Sequence, residues 1–87
     1  MSEEPFNVSL GKKVRARRLT LGLTQSQLAN KIGVTFQQVQ KYEKGTNGVS
    51  AERLADIALS LKVNVLYFYN NSSPNFVLIE NDKSKSW

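Results

Sequence analysis

Residues 24–45 read TQSQLANKIGVTFQQVQKYEKG, and the reading of this stretch decides the fold. Leu28, Ala29, Ile32, Val34, Val39 and Tyr42 are its apolar positions, spaced for the inner faces of two short amphipathic helices. Thr24 stands three residues before Gln27, and Thr35 three residues before Gln38. Each pair matches a capping box, in which a hydroxyl accepts from a free backbone N–H while an amide reaches back to another. Gly33 ends the first helix and Gly45 the second, where glycine takes the left-handed conformation cheaply. The spacing therefore predicts two helices joined by a tight turn at Gly33, a small residue that lets them cross closely.

Working outward, Leu10, Val14 and Leu21 form a stripe at helical spacing, which predicts a helix over residues 10–21 stopped by Gly22. Leu19 projects oppositely, and periodicity offers no account of it. Beyond Gly45, GTNGVS reads as a loop in which Ser50 caps a fourth helix. Glu52 favours the positive end of that helix, and Leu54, Ala55, Ile57, Ala58 and Leu61 supply its apolar face. Asn64 then caps a short fifth helix over residues 65–69, although VNVLYFY has the propensity of a strand. The expected architecture is all-α: a compact five-helix domain over residues 10–69, an N-terminal arm over 1–9 and a short polar tail over 70–87. Within the tail, residues 76–79 form a β-prone run that either frays or pairs with a second subunit.

Composition narrows the function classes. A chain of 87 residues has room for one domain with one modest core. Nothing approaches the roughly 20 apolar residues of a membrane span. MSEEPFNV lacks the apolar region of a secretory leader, so a cytoplasmic location is expected. With no cysteine and no histidine, the chain lacks the usual metal ligands and the usual general base. No metal, cofactor or enzymatic activity is expected. The net charge of +5 is uneven. Lys12, Lys13, Arg15, Arg17 and Arg18 lie together without an acid, and Lys31, Lys41 and Lys44 face only Glu43 in the next segment. Residues 46–87 are balanced. Basicity localised in this way suits a polyanion.

Two helices with such a turn form a helix-turn-helix, whose second helix enters the major groove of DNA. With Val39 and Tyr42 facing the core, the opposite face of the third helix carries Gln37, Lys41 and Lys44, with Gln40 beside them and Phe36 and Gln38 towards its edges. Glutamine can bond an adenine edge, lysine can donate to guanine, and an aromatic ring can pack on a thymine methyl. Phe36, Gln37, Gln40 and Lys41 are accordingly the candidate base readers. Gln25, Thr35, Gln38, Lys44, Asn47 and Ser50 are the candidate phosphate contacts, Gln25 because a helix N-terminus attracts anions.

These residues resemble the phage repressor/Cro group of helix-turn-helix regulators, XRE-type proteins. The match runs through LGKKVRARRLTLGLTQSQLANKIGVTFQQVQKYEKG and SAERLADIALSLKVNVLYFY, residues 10–69. The resemblance implies a five-helix bundle acting as a homodimer on a palindromic operator. It places Gln25 on the family's phosphate-clamping glutamine, Phe36, Gln37 and Lys41 on base-contacting positions, and Gln38 and Lys44 on positions that touch the backbone. It also implies a structural ion pair between Arg18 and Glu43, which would explain why Arg18 borders an apolar stripe. GTNGVS carries none of the minor-groove arginines that some members have in this loop.

The expected function is a sequence-specific regulator of transcription, acting as a repressor on double-stranded DNA and nucleoid-associated when bound. Leu66, Tyr67, Phe68 and Tyr69, together with Phe76, are the candidate dimer surface, although the same aromatics could simply complete the core. A rival reading is a protein-interaction module that uses its apolar tail to hold another protein partner.

Overall fold

The structure, a computed structural model, describes residues 5–69. Four α-helices are present among the described residues: α1 (Phe6–Thr20), α2 (Gln25–Ile32), α3 (Phe36–Lys44) and α4 (Ala51–Leu61). A 3₁₀ helix, Val65–Phe68, follows, and no strand occurs among the described residues. The all-α class agrees with the sequence reading, but the expected fifth α-helix is a single 3₁₀ turn. Its β-branched and aromatic residues are poor helix formers, and one turn is too short to offset the cost of nucleation.

Helix α1 begins at Phe6, four residues earlier than the apolar stripe suggests. The carbonyl of Pro5 accepts from the N–H groups of Val8 and Ser9, both at 3.1 Å. Residues 6–9 thus belong to the domain rather than to an arm. Thr24 and Gln27 complete the capping box of α2, with reciprocal bonds of 3.0 and 2.8 Å. At α3 only the forward half forms, from the Gln38 N–H to the Thr35 hydroxyl at 3.1 Å. Ser50 caps α4 by accepting from the Arg53 N–H.

The core draws on every element: Leu10 and Val14 from α1, Leu28, Ala29 and Ile32 from α2, Val39 and Tyr42 from α3, Leu54, Ile57, Ala58 and Leu61 from α4, then Val63, Tyr67 and Phe68. Each large aliphatic side chain so buried contributes about 1.5–3 kcal/mol. Ala55, expected on the inner face of α4, is exposed instead, as is Leu19.

The turn glycine acts differently from the expectation. Gly33 has a φ of 75°, and a Cβ there would meet nothing within 4 Å. It is required for its left-handed backbone, not for close helix crossing. The close crossing lies elsewhere, at Gly11 of α1, which packs directly on the backbone of α3 at Tyr42 and Glu43.

Three arginines tie the elements together through backbone carbonyls, two of them at helix ends that leave such groups without partners. The Arg17 Nε donates to the Leu61 carbonyl at 2.9 Å, joining α1 to the end of α4. Arg53 donates to the Ile32 carbonyl, joining α4 to the end of α2. Arg18 donates to the Leu23 carbonyl at 2.8 Å, fixing the turn between α1 and α2.

Candidate nucleic-acid interface

Helix α3 divides cleanly by burial. Val39, Tyr42 and Glu43 face inward, while Phe36, Gln37, Lys41 and Lys44 are exposed and Gln38 and Gln40 half-buried. Phe36 keeps 40% of its surface accessible. Of the four candidate base readers, Phe36, Gln37 and Lys41 are exposed and Gln40 is half-buried at the edge of that surface. Thr35 stands at the head of the helix, its hydroxyl engaged by Gln38. Asn47 is exposed in the loop that follows α3. Ser50 is exposed too, with its oxygen already accepting the cap bond of α4.

The charge on this surface is one-sided. From Thr24 to Gly45 the only carboxylate is that of Glu43, and it is buried. Lys31, Lys41 and Lys44 are all exposed. The accessible surface of α2 and α3 thus presents lysines, glutamines and threonines without an acid to repel an anion.

Glu43 is consumed inside the fold. Its Oε2 accepts from the Arg18 Nε at 2.6 Å, and its Oε1 from the Arg18 Nη2 at 3.0 Å, a bidentate pair. Their side chains are only 7% and 3% exposed. The Gln25 Nε2 donates to the same Oε1 at 2.9 Å. One carboxylate therefore links α1, the start of α2 and the end of α3. Sequence reading missed the bond to Gln25, because nothing in spacing alone brings residues 25 and 43 together.

Part of the basic charge has a structural task. Arg17, Arg18 and Arg53 are committed to carbonyls and to Glu43, so they add less to an anion-binding surface than composition suggests. Lys13 is half-buried, and desolvation pulls its ammonium below the ordinary lysine value.

The candidate dimer residues separate into two pairs. Tyr67 and Phe68 are 3% and 1% exposed and belong to the core, which corrects the expectation that all four residues form a surface. Leu66 and Tyr69 remain 61% and 57% exposed. A 3₁₀ helix places i and i+3 on one side, which is why these two share an outward face. Phe6 of α1 stacks on Tyr69 with ring centroids 5.1 Å apart. Phe76 lies outside the described residues.

The family model for helix-turn-helix proteins matches residues 14–68, which span α2, α3 and the core around them. This chain belongs to the XRE-type helix-turn-helix family, whose members are DNA-binding transcriptional regulators. It is 46% identical over 68 residues to an uncharacterized HTH-type transcriptional regulator of Sinorhizobium medicae, covering 78% of this chain and 49% of that protein. It is 53% identical over 62 residues to an uncharacterized transcriptional regulator in the ATPase CF(0) region of Rhodospirillum rubrum, covering 71% and 57% respectively. The chain thus spans about half the length of the curated relatives it matches. Among solved structures, the DNA-binding domain of BldD superposes with a TM-score of 0.66 at 33% identity, covering 78% of this chain and 97% of that one.

Proposed function

We propose that this chain is a sequence-specific regulator that binds double-stranded DNA as a homodimer, setting α3 of each subunit into the major groove of a palindromic operator. The observation that carries this reading is the exposed face of α3: Gln37 and Lys41 point outward, Phe36 lies open at the helix start, and the single acid of the motif is withdrawn into the core. Gln37, Gln40 and Lys41 read base edges, and Phe36 packs on a thymine methyl. Gln25, Thr35, Gln38, Lys44 and Asn47 hold the phosphates and set the register.

One such helix reaches only a short half-site, so two copies spaced by about one turn of DNA, roughly 34–36 Å, supply the specificity. The exposed Leu66 and Tyr69, extended by Phe6, provide the apolar surface for that pairing. Bound across a promoter, the dimer represses by occupancy. It acts in the cytoplasm without catalysis; no helix among the described residues is long and apolar enough to cross a membrane.

Two solution measurements test the reading. Sedimentation equilibrium gives a dimer that Leu66→Ser with Tyr69→Ser dissociates. Binding to duplex DNA weakens with salt at a log–log slope of about −5, as expected if roughly six phosphates are neutralised. A monomer whose affinity for duplex DNA is weak and independent of salt would instead favour a protein-interaction module.

A further inference from the structure

Gln25 does not lie free at the mouth of α2. Its amide is held by a carboxylate that is itself locked by a bidentate arginine, and both partners of that pair are buried. A carboxylate only accepts hydrogen bonds, so the Gln25 amide must turn its NH2 group towards Glu43. That removes the flipped orientation and leaves one Nε2 hydrogen to donate elsewhere. Arg18 is fixed in turn by the Leu23 carbonyl at 2.8 Å, so neither end of the chain of bonds is loose.

We propose that Glu43 is a positioning residue for DNA binding: through its bond to Gln25 it holds the amide of α2 ready to donate to a phosphate oxygen. The proposal rests on the reading of Gln25 as a phosphate contact. A glutamine on a surface rotates freely and loses side-chain entropy when it binds. Here the rotamer is selected before DNA arrives, and the buried Arg18–Glu43 pair is the part of the fold that selects it. The pair thereby serves affinity as well as folding, and it joins the phosphate contact of α2 to the end of the reading helix α3.

The test separates orientation from stability. Replacing Arg18 and Glu43 together avoids stranding a buried charge. Arg18→Met with Glu43→Gln keeps an oxygen that can accept from Gln25, whereas Arg18→Met with Glu43→Leu removes it. Affinity for duplex DNA is measured by fluorescence anisotropy at temperatures where thermal melts show each variant folded. Gln25→Ala should weaken the wild-type chain about tenfold, the size of one hydrogen bond to a charged acceptor. The Met/Leu variant should lose about the same. The Met/Gln variant should fall between it and wild type, because its amide can accept from Gln25 but can also donate and so does not exclude the flipped orientation. Adding Gln25→Ala to the Met/Leu variant should cost little more.

If Gln25→Ala costs about tenfold in both backgrounds, the positioning role is overturned while the phosphate contact stands. If it costs nothing in the wild-type chain, that contact and the positioning role fall together. Absence of duplex binding by the wild-type chain overturns the DNA-binding reading and this inference with it. NMR of the unmodified chain gives an answer that needs no variant: one Gln25 side-chain amide proton should be shifted and protected by the carboxylate. Two protons at free-amide positions would contradict the proposal.

Discussion

Gly11 lies on the backbone of Tyr42. A Cβ at Gly11 would fall inside the contact distance of the Tyr42 carbonyl oxygen and reach 2.5 Å from that of Glu43. This is where α1 crosses α3, and the Arg18 side chain, about two turns further along α1, reaches Glu43.

Helix propensity alone says that Gly11→Ala should stabilise α1 by about 1 kcal/mol. The crossing predicts the opposite sign. Backbone on the opposing helix cannot move aside as a side chain can, so the substitution should destabilise by about 3 kcal/mol, the upper end for overpacking. Urea denaturation measures this directly. An unchanged or raised midpoint would show that α1 and α3 do not approach so closely.

The Arg18–Glu43 pair gives an asymmetric expectation. Arg18→Met alone strands a buried carboxylate and should cost about 3–5 kcal/mol, whereas Arg18→Met with Glu43→Leu should cost far less. Denaturation of the single and double variants tests it. Equal losses in both would mean that packing rather than charge dominates the site.

Tyr67 supplies a dependence on pH. Burial raises its phenol above the ordinary 10.0, and the Arg17 charge partly opposes the shift. A group whose folded pKa is raised stabilises the fold fully below its unfolded value and loses that contribution as pH rises through the folded value. Stability should therefore fall above pH 10 by more in the wild-type chain than in Tyr67→Phe. Lys13, lowered from 10.5 by desolvation, works in the opposite sense over the same window, so the comparison between the two chains isolates the phenol. Parallel stability profiles from pH 8 to pH 11 would contradict this account of Tyr67.

Lys62 ends α4 with a φ of 62°, a left-handed conformation costly for a residue with a Cβ. Its N–H still closes the helix on the Ala58 and Leu59 carbonyls, as glycine would. Lys62→Gly should raise stability by about 0.5–1 kcal/mol, the relief of strain exceeding the entropy gained by the unfolded chain. A lowered melting temperature would indicate that the Lys62 side chain makes contacts that offset the strain.

The helices were legible because their signals are local. Thr24 with Gln27, and Leu28, Ala29 and Ile32 at helical spacing, fall within single turns, and the structure places them as read. The start of α1 was not legible, since Phe6 and Val8 lack a clear apolar stripe and the helix is set by the docking of Gly45 against Val8. Misreading the end of α4 onward has the same origin. Tyr67 and Phe68 could serve a core or a surface equally well by composition, and only the folded register buries them while leaving Leu66 and Tyr69 open. Of the candidate interface, the outward face of α3 follows from the periodicity of Val39 and Tyr42. The bond from Gln25 to Glu43, the capping of Leu61 by Arg17 and that of Ile32 by Arg53 do not, because each joins residues distant in sequence.

The central claim is that the exposed face of α3 reads base sequence. Selection of binding sites from a random duplex library at about 0.15 M salt tests it most directly, with Gln37→Ala and Lys41→Ala chains selected in parallel. A palindromic consensus that relaxes at separate base pairs in the two variants, each by about 1–3 kcal/mol of discrimination, is the predicted result. Recovery of no consensus, with all three chains binding every duplex alike, would contradict it.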